Sequence, residues 1–148
     1  MLSKQASHAL KALLLLAAIP LEWQSTHQLA TAAHLPEPML EQLLLRLRRA
    51  GLLVARRGRL GGFRLARAAR EISLAAVLAG LGETVGAETS PVITSAEPSA
   101  VDQVTAALER RLQRARQKAL AALTLEDLLF DLRSAEASRD VQGGLLLG

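Results

Sequence analysis

The sequence predicts a mainly α-helical protein with one small β-hairpin. Of its 148 residues, 32 are Leu and 27 are Ala, and both residue types favour helices. Val and Ile together number ten and the aromatic residues three, too few for a fold of many strands. One strand–loop–strand pattern, residues 52–57 and 63–66 around GRLGG, indicates the hairpin.

Three helices are predicted before the hairpin. The first begins after Ser3, which acts as its N-cap. Thr26 caps a short second helix over about residues 27–33. The third helix is expected over residues 37–50, and Gly51 supplies the left-handed residue that ends it.

The apolar run at 12–19 superficially resembles a signal peptide, because Lys4 and Lys11 precede it. It lies at the short end of the about 7–15 apolar residues in such a segment. It is also well below the about 20 residues that span a bilayer. A buried helix that stops before Pro20 is the better interpretation, so we expect a cytoplasmic protein without a membrane partner.

The rest of the chain predicts mostly helix. A short helix follows Ser73, and residues 82–99 lack periodicity and indicate a loop. A long helix is expected over residues 100–123. The segment from Thr124 to Asp127 then caps a final short helix, and a flexible tail follows. The predicted divisions of the chain are therefore residues 1–81, 82–99, 100–133 and 134–148.

The residue types present argue against an enzyme or a metalloprotein. The chain contains no Cys, which excludes disulfides, thiolate nucleophiles and iron–sulfur clusters held by Cys. Its three His residues have no metal-ligand spacing. No Ser/His/Asp grouping is evident, and helix capping explains Glu126 and Asp127. No catalytic residue, metal ligand or cofactor is therefore predicted.

Charge is distributed unevenly along the chain. Residues 1–70 contain 11 Lys and Arg against three Glu, whereas residues 71–148 contain seven against 11 Asp and Glu. Nine of the arginines lie between Arg46 and Arg70. This asymmetry predicts that the N-terminal half faces a polyanion.

The helix over 37–50 has two distinct faces when its residues are placed at about 100° intervals. One face is apolar and suits the core: Leu40, Leu43, Leu44 and Leu47. The opposite face and its flanks suit a DNA major groove: Pro38, Glu41, Gln42, Leu45, Arg46 and Arg49. Gln pairs with adenine, Glu accepts from the cytosine amine, Arg reaches guanine or phosphate, and Leu contacts a thymine methyl. An ordinary solvated face is the alternative.

The segment RRGRLGGFR at 56–64 places four arginines around a glycine-rich tip, where they need water or an anion. A helix–turn–helix followed at once by a hairpin is the order of a winged helix, whose tip enters the minor groove. The wing residues expected there are Arg57, Gly58 and Arg59. A charged turn whose glycines serve only backbone geometry is the alternative.

Four segments carry a resemblance to known proteins: LSKQASHALKALLLLA at 2–17, LPEPMLEQLLLRLRRAGLLVARRGRLGGFRLAR at 35–67, ISLAAVLAGL at 72–81 and TLEDLL at 124–129. The most specific pieces are LEQLL, then AGL, then the R-G-x-x-G-G-[FY]-x-L wing. The chain resembles, over nearly all of residues 1–132, the bacterial winged-helix transcription regulators that include IscR, NsrR and CymR, the Rrf-two family.

The resemblance implies a homodimer in which each winged helix reads half of a pseudo-palindromic DNA operator. It implies base contacts from Glu41 and Gln42, with the wing's Arg57 in the minor groove. Ser3 and Lys4 correspond to positions that lie along the phosphates in the family. The other side chains expected at phosphates are Thr26, Arg46, Arg49, Arg56 and Arg64.

Two departures from the family pattern stand out. Arg59 and Leu60 replace the small residues common in the wing. Cluster-binding members place three cysteines in the loop at 82–99, where this chain has none. The family's iron–sulfur sensing is therefore not expected here, and an unidentified small-molecule or protein effector stays open as a further partner.

The helix at 100–123 carries an apolar stripe whose members step by three and four: Val101, Val104, Leu108, Leu112, Ala115, Ala119 and Ala122. Packing within its own chain is one possibility. Its length and the small size of the N-terminal domain favour a second copy instead, so this stripe is the expected dimer interface.

Two hypotheses from different classes follow. The first is a homodimeric, sequence-specific transcription regulator, expected to be a repressor, with helix 37–50 in the major groove and the wing 56–64 in the minor groove. The alternative is a winged-helix module that binds protein or serves as a scaffold without specific DNA binding. The arginine wing separates them, because only the first requires it for DNA affinity.

Overall fold

The computed structural model describes residues 2–83 and 97–146, and this part of the chain is mainly helical with one antiparallel hairpin. The fold class predicted from the sequence is confirmed. The elements in chain order are α1 (Lys4–Ala18), α2 (Thr26–Ala33), α3 (Glu37–Arg49), β1 (Leu53–Arg56), β2 (Gly62–Leu65), a 3-10 turn (Ala69–Glu71), α4 (Leu74–Gly80), α5 (Ala100–Ala122) and α6 (Leu125–Leu146).

A leucine core holds the N-terminal elements together. It lies between α1, α2, α3, the hairpin and α4, and the first turns of α6 close it. No polar or charged side chain is buried among the described residues. The largest fully buried side chains are Leu13, Leu16, Leu29, Leu40, Leu44, Leu47, Leu52, Ile72, Val77 and Leu125.

Serine caps begin most of these helices, and one of them differs from the prediction. The Ser3 and Ser73 hydroxyls accept hydrogen bonds at the starts of α1 and α4, as predicted. For α2 the prediction of Thr26 as cap is wrong, because Ser25 caps the helix. The Ser25 hydroxyl accepts from Gln28 N at 3.1 Å, and the Gln28 side chain accepts from Ser25 N at 2.8 Å. Gln28 completes a capping box only with the residue three positions before it.

The hairpin is attached to the end of α1 through the connector that follows that helix. The backbone of Gln24 pairs with Phe63 in β2, with N···O distances of 2.8 and 3.0 Å. The Gln24 side chain donates to the Leu15 carbonyl at 3.0 Å. Gly62 lies against this connector at φ +143, where a Cβ would come within 2.3 Å of the Gln24 carbonyl oxygen.

The two C-terminal helices meet at a corner that is hydrogen-bonded to the N-terminal domain. Leu74 N donates to Leu123 O at 2.9 Å, and Leu125 N donates to Ile72 O at 3.0 Å. Thr124 and Asp127 form the predicted capping box at the start of α6. This short pairing sets the direction in which α5 and α6 leave the domain.

Ser99 and Asp102 cap the start of α5. The Ser99 hydroxyl donates to the Asp102 carboxylate at 2.7 Å, and the Ser99 amide donates to it at 2.9 Å. These hydrogen bonds lower the pKa of Asp102 below its usual range. Of the predicted loop at 82–99, residues 84–96 lie outside the described part of the chain.

The final helix is longer than predicted. The sequence predicts a short helix and a flexible tail from residue 134, but α6 continues to Leu146. Residues 134–142 are exposed and contain neither Pro nor Gly, so local helix propensity supports the helix over these residues. Across the described ranges, no helix is both long and apolar enough to cross a membrane.

Replacing Gly62 with Ala is expected to lower the free energy of unfolding by about 2 kcal/mol, because the new Cβ meets the Gln24 backbone and φ is positive. Urea denaturation of the purified protein measures this change. Gly143→Ala is the control: its Cβ meets nothing within 4 Å, and Ala favours a helix by up to about 1 kcal/mol. Equal stabilities of the wild type and Gly62→Ala would contradict the close approach.

Candidate nucleic-acid interface

Helix α3 presents a polar face because its leucines are buried. Leu40, Leu43, Leu44 and Leu47 all lie in the core, as predicted. The residues on the other side are exposed, except that Leu45 is half-buried: Pro38, Glu41, Gln42, Arg46 and Arg49. Since the inner face is anchored by four side chains, the rotation of the outer face is determined.

Helices α2 and α3 meet at a tight turn, which gives the helix–turn–helix its angle. His34 ends α2 in the left-handed conformation, at φ 55. The His27 Nδ1 atom lies 3.1 Å from a carboxylate oxygen of Glu37, which joins the first turns of the two helices. Both side chains are well exposed, so this contact contributes little stability.

The hairpin tip carries its arginines into solvent. Arg57, Gly58 and Arg59 are exposed, and Gly61 N donates to Gly58 O at 3.0 Å to close the turn. Gly58 has φ +109, which only glycine adopts easily. Within residues 2–83 and 97–146, no carboxylate lies within ion-pair distance of a wing arginine. These cations therefore remain available to an anion.

Trp23 forms a part of this surface that the sequence pattern does not predict. The Arg64 guanidinium carbon lies 4.4 Å from the centre of the Trp23 ring, and that of Arg56 lies 5.9 Å from it. Stacking engages the face of a guanidinium and leaves its N–H edges for other partners. The indole thus orients two arginines of the strands. Their contact with phosphates stays a prediction.

The other predicted phosphate contacts lie on several different elements. Lys4 is exposed at the start of α1, and Thr26 is half-buried in the first turn of α2. The Ser3 hydroxyl caps α1 and also donates to the Glu83 carboxylate. The Arg46 guanidinium donates to the Gln5 side chain at 3.1 Å. The structure therefore places Ser3 and Arg46 in hydrogen-bond networks that the sequence pattern did not indicate.

The apolar stripe of α5 is exposed to solvent in this single chain. Val101 is 71% exposed, Leu108 53% and Leu112 61%, and only Leu120 of this helix is buried. Val104, Ala115, Ala119 and Ala122 are exposed as well. Phe130 on α6 is 70% exposed as well, an aromatic side chain for which the sequence pattern predicts no role. Exposed apolar surface of this kind marks an interaction site.

Comparison with known proteins agrees with this arrangement. The family model Rrf2, described as an iron-dependent transcriptional regulator, matches residues 2–131. The protein slr0846 of Synechocystis sp., named as a candidate HTH-type transcriptional regulator, is 40% identical over 139 residues, which is 93% of each chain.

Solved structures of similar fold include two named regulators. IscR of T. potens has a TM-score of 0.73 at 27% identity, covering 91% of this chain and 90% of its own. CymR, the global cysteine regulator of B. subtilis, has a TM-score of 0.73 at 28% identity, covering 87% of this chain and 95% of its own. The family model describes transcriptional regulators, and these proteins are named as regulators, not as enzymes.

The side chains that the structure describes form no site for the iron that the family description names. The sequence has no Cys to supply thiolate ligands for an iron–sulfur cluster. Among the described residues, no three His, Asp or Glu side chains are grouped closely enough to hold a metal ion.

Replacing Arg64 with Ala is expected to expose the Trp23 indole and shift its fluorescence to longer wavelength. Trp23 is the only Trp in the sequence, so the emission reports this ring alone. Loss of the cation–π contact at 4.4 Å is expected to lower the free energy of unfolding by about 0.5–1 kcal/mol. Arg67→Ala, a neighbouring exposed arginine, serves as the control. Identical spectra for Arg64→Ala and the wild type would contradict the stack.

Proposed function

Because this chain belongs to the Rrf2 family of transcriptional regulators, we propose that it is a homodimeric repressor that reads a pseudo-palindromic DNA operator. The observation that carries the proposal is the exposed polar face of α3 together with wing arginines that have no carboxylate within ion-pair distance in the described part of the chain. Regulation of transcription and binding of DNA follow from the family. The homodimer, the repression and the groove contacts are the proposed part.

In the proposed complex α3 lies in the major groove. Glu41, Gln42 and half-buried Leu45 occupy its outer side, where a carboxylate accepts from cytosine, an amide pairs with adenine and an apolar group meets a thymine methyl. Arg46 and Arg49 lie toward the other end of the helix and contact phosphates. Pro38, near the helix start, approaches the base edges.

The wing reaches the neighbouring minor groove. A narrow minor groove has a strong negative potential that attracts inserted arginine side chains. Arg57 and Arg59 are exposed on either side of Gly58, at the outermost part of the hairpin. Pairing of β2 with the connector at Gln24 holds the wing in position relative to α1.

A second copy covers the apolar stripe of α5. The helix has 23 residues, about 35 Å at about 1.5 Å per residue, and its stripe has no partner in the described part of the chain. Two copies joined along this stripe present two α3 helices, which sets the spacing of the half-sites.

The proposed regulator works without an iron–sulfur cluster, because the sequence contains no Cys to bind one. Its signal is then a small molecule or a partner protein, or simply its own concentration. DNA as the partner implies that the protein acts in the cytoplasm.

Replacing both Arg57 and Arg59 with Ala is expected to weaken DNA binding and to lower the dependence of log affinity on log salt by about two. The test selects fragmented genomic DNA with purified protein at two salt concentrations and sequences the bound fraction. The wild type is expected to enrich an inverted repeat that survives the higher salt. Arg110→Ala with Arg114→Ala, two exposed arginines of α5, is the matched control.

Two outcomes would contradict the proposed function. Wild-type binding without an enriched sequence, lost steeply with salt, would reduce the interaction to phosphate attraction. Unchanged affinity and salt dependence in the wing variant would favour the alternative of a protein-binding module.

Replacing Leu108 and Leu112 with Glu is expected to convert the dimer to monomers, because like charges would then face each other across an apolar seam. Sedimentation velocity measures the change in mass. Arg114→Glu places the same charge on the opposite side of the helix and should remain dimeric. A wild-type protein that sediments as a monomer would contradict the homodimer.

A further inference from the structure

The end of α4 lies against the beginning of α1. Gly82, at φ +75, and Glu83 close the C-terminus of α4, with Glu83 N donating to Leu78 O at 2.9 Å and Gly82 N to Ala79 O at 3.0 Å. This pair of hydrogen bonds is a Schellman motif. It leaves the carbonyl group of Leu81, the residue between helix and glycine, in need of another donor.

Gln5 supplies that donor and uses its other end on the recognition helix. Its Nε2 atom donates to Leu81 O at 3.2 Å, and its Oε1 atom accepts from Arg46 Nη1 at 3.1 Å. The half-buried Gln5 side chain therefore joins the cap of α4 to an arginine on α3. One side-chain amide therefore connects Gln5 to partners that lie 76 and 41 positions away from it along the chain.

A neutral amide suits the task of holding an arginine that binds phosphate. A carboxylate in the place of Gln5 would orient Arg46 but would also offset its positive charge. The amide oxygen uses one of the guanidinium donors and leaves the charge and the other donors available. An unrestrained arginine loses side-chain freedom when it binds, and a restrained one has lost part of it already.

We infer that Gln5 is a positioning residue for DNA binding, which acts by holding Arg46 against the C-terminal cap of α4. Through this link the geometry of residues 81–83 sets the orientation of a phosphate-contacting side chain on α3. The inference rests on the proposed function, since it requires Arg46 to contact DNA. It differs from a merely structural role, in which Gln5 would only satisfy the Leu81 carbonyl.

The test is a double-mutant cycle with Gln5→Met, Arg46→Ala and the two combined. Met keeps the length and helix propensity of Gln but makes neither hydrogen bond. Affinity is measured by fluorescence anisotropy on the most enriched duplex of the selection, or on a mixed-sequence duplex if none is enriched. Gln117→Met, an exposed glutamine of α5, is the matched control, and thermal unfolding reports the stability of each variant.

Gln5→Met is expected to weaken binding about two- to tenfold in the wild-type background and to have no further effect once Arg46 is Ala. Its salt dependence should equal that of the wild type, because the charge of Arg46 remains. Arg46→Ala should reduce the slope of log affinity against log salt concentration by about one. A structural role alone would lower the melting temperature without this coupling.

A second variant tests the contribution of the α4 cap. Gly82→Ala strains the left-handed residue while its Cβ meets nothing within 4 Å, so it disturbs the cap without a clash. It is expected to weaken binding when Gln5 is present and to have no effect in the Gln5→Met background.

Three results would overturn the inference. They are unchanged affinity in Gln5→Met while Arg46→Ala binds more weakly, equal losses from Gln5→Met with and without Arg46, and a Gly82→Ala effect independent of Gln5. Failure of the proposed function appears separately, as absence of an enriched sequence or of any salt-dependent contribution from Arg46.

Discussion

Burial of one face of α3 is the constraint on which the proposed DNA-binding surface depends. Four leucines of this helix lie in the core, and each fully buried leucine contributes about 1.5–3 kcal/mol. Rotation of the helix by even one residue position would expose some of them, so the orientation of Glu41, Gln42 and Arg46 is determined indirectly. The polar residues proposed to read DNA need no strong contacts of their own, because the apolar residues on the other side hold them in place.

The same core also orients the wing and the C-terminal helices. The hairpin pairs with the connector at Gln24, and the α5–α6 corner pairs with residues 72–74. Both contacts are pairs of backbone hydrogen bonds, whose angular preference restricts direction as well as distance. The recognition helix, the wing and the exposed stripe of α5 therefore belong to one framework. In a dimer, this framework would transmit the spacing of the α5 helices to the spacing of the half-sites.

Much of the fold could be predicted because its signals are local. The buried leucines of α3, the left-handed Gly51 and the Thr124–Asp127 box each depend on residues within one or two helical turns. The two errors also have local causes. Ser25 and Thr26 are both good caps, and only the distance to Gln28 decides between them. The residues after 133 lack an apolar pattern, yet those at 134–142 contain no helix breaker, and α6 continues to Leu146.

The sequence by itself determined the helical class, the arginine-rich wing, the polar face of α3 and the absence of thiolate ligands, because periodicity and composition depend on near neighbours. Only the tertiary structure decided that Trp23 lies beneath Arg64 and that Gln5 joins Leu81 to Arg46. These partners are far apart along the chain, and no periodic pattern connects them. They meet because the hydrophobic core packs α1 against α3, α4 and the hairpin, and burial of apolar surface has no preference for sequence separation.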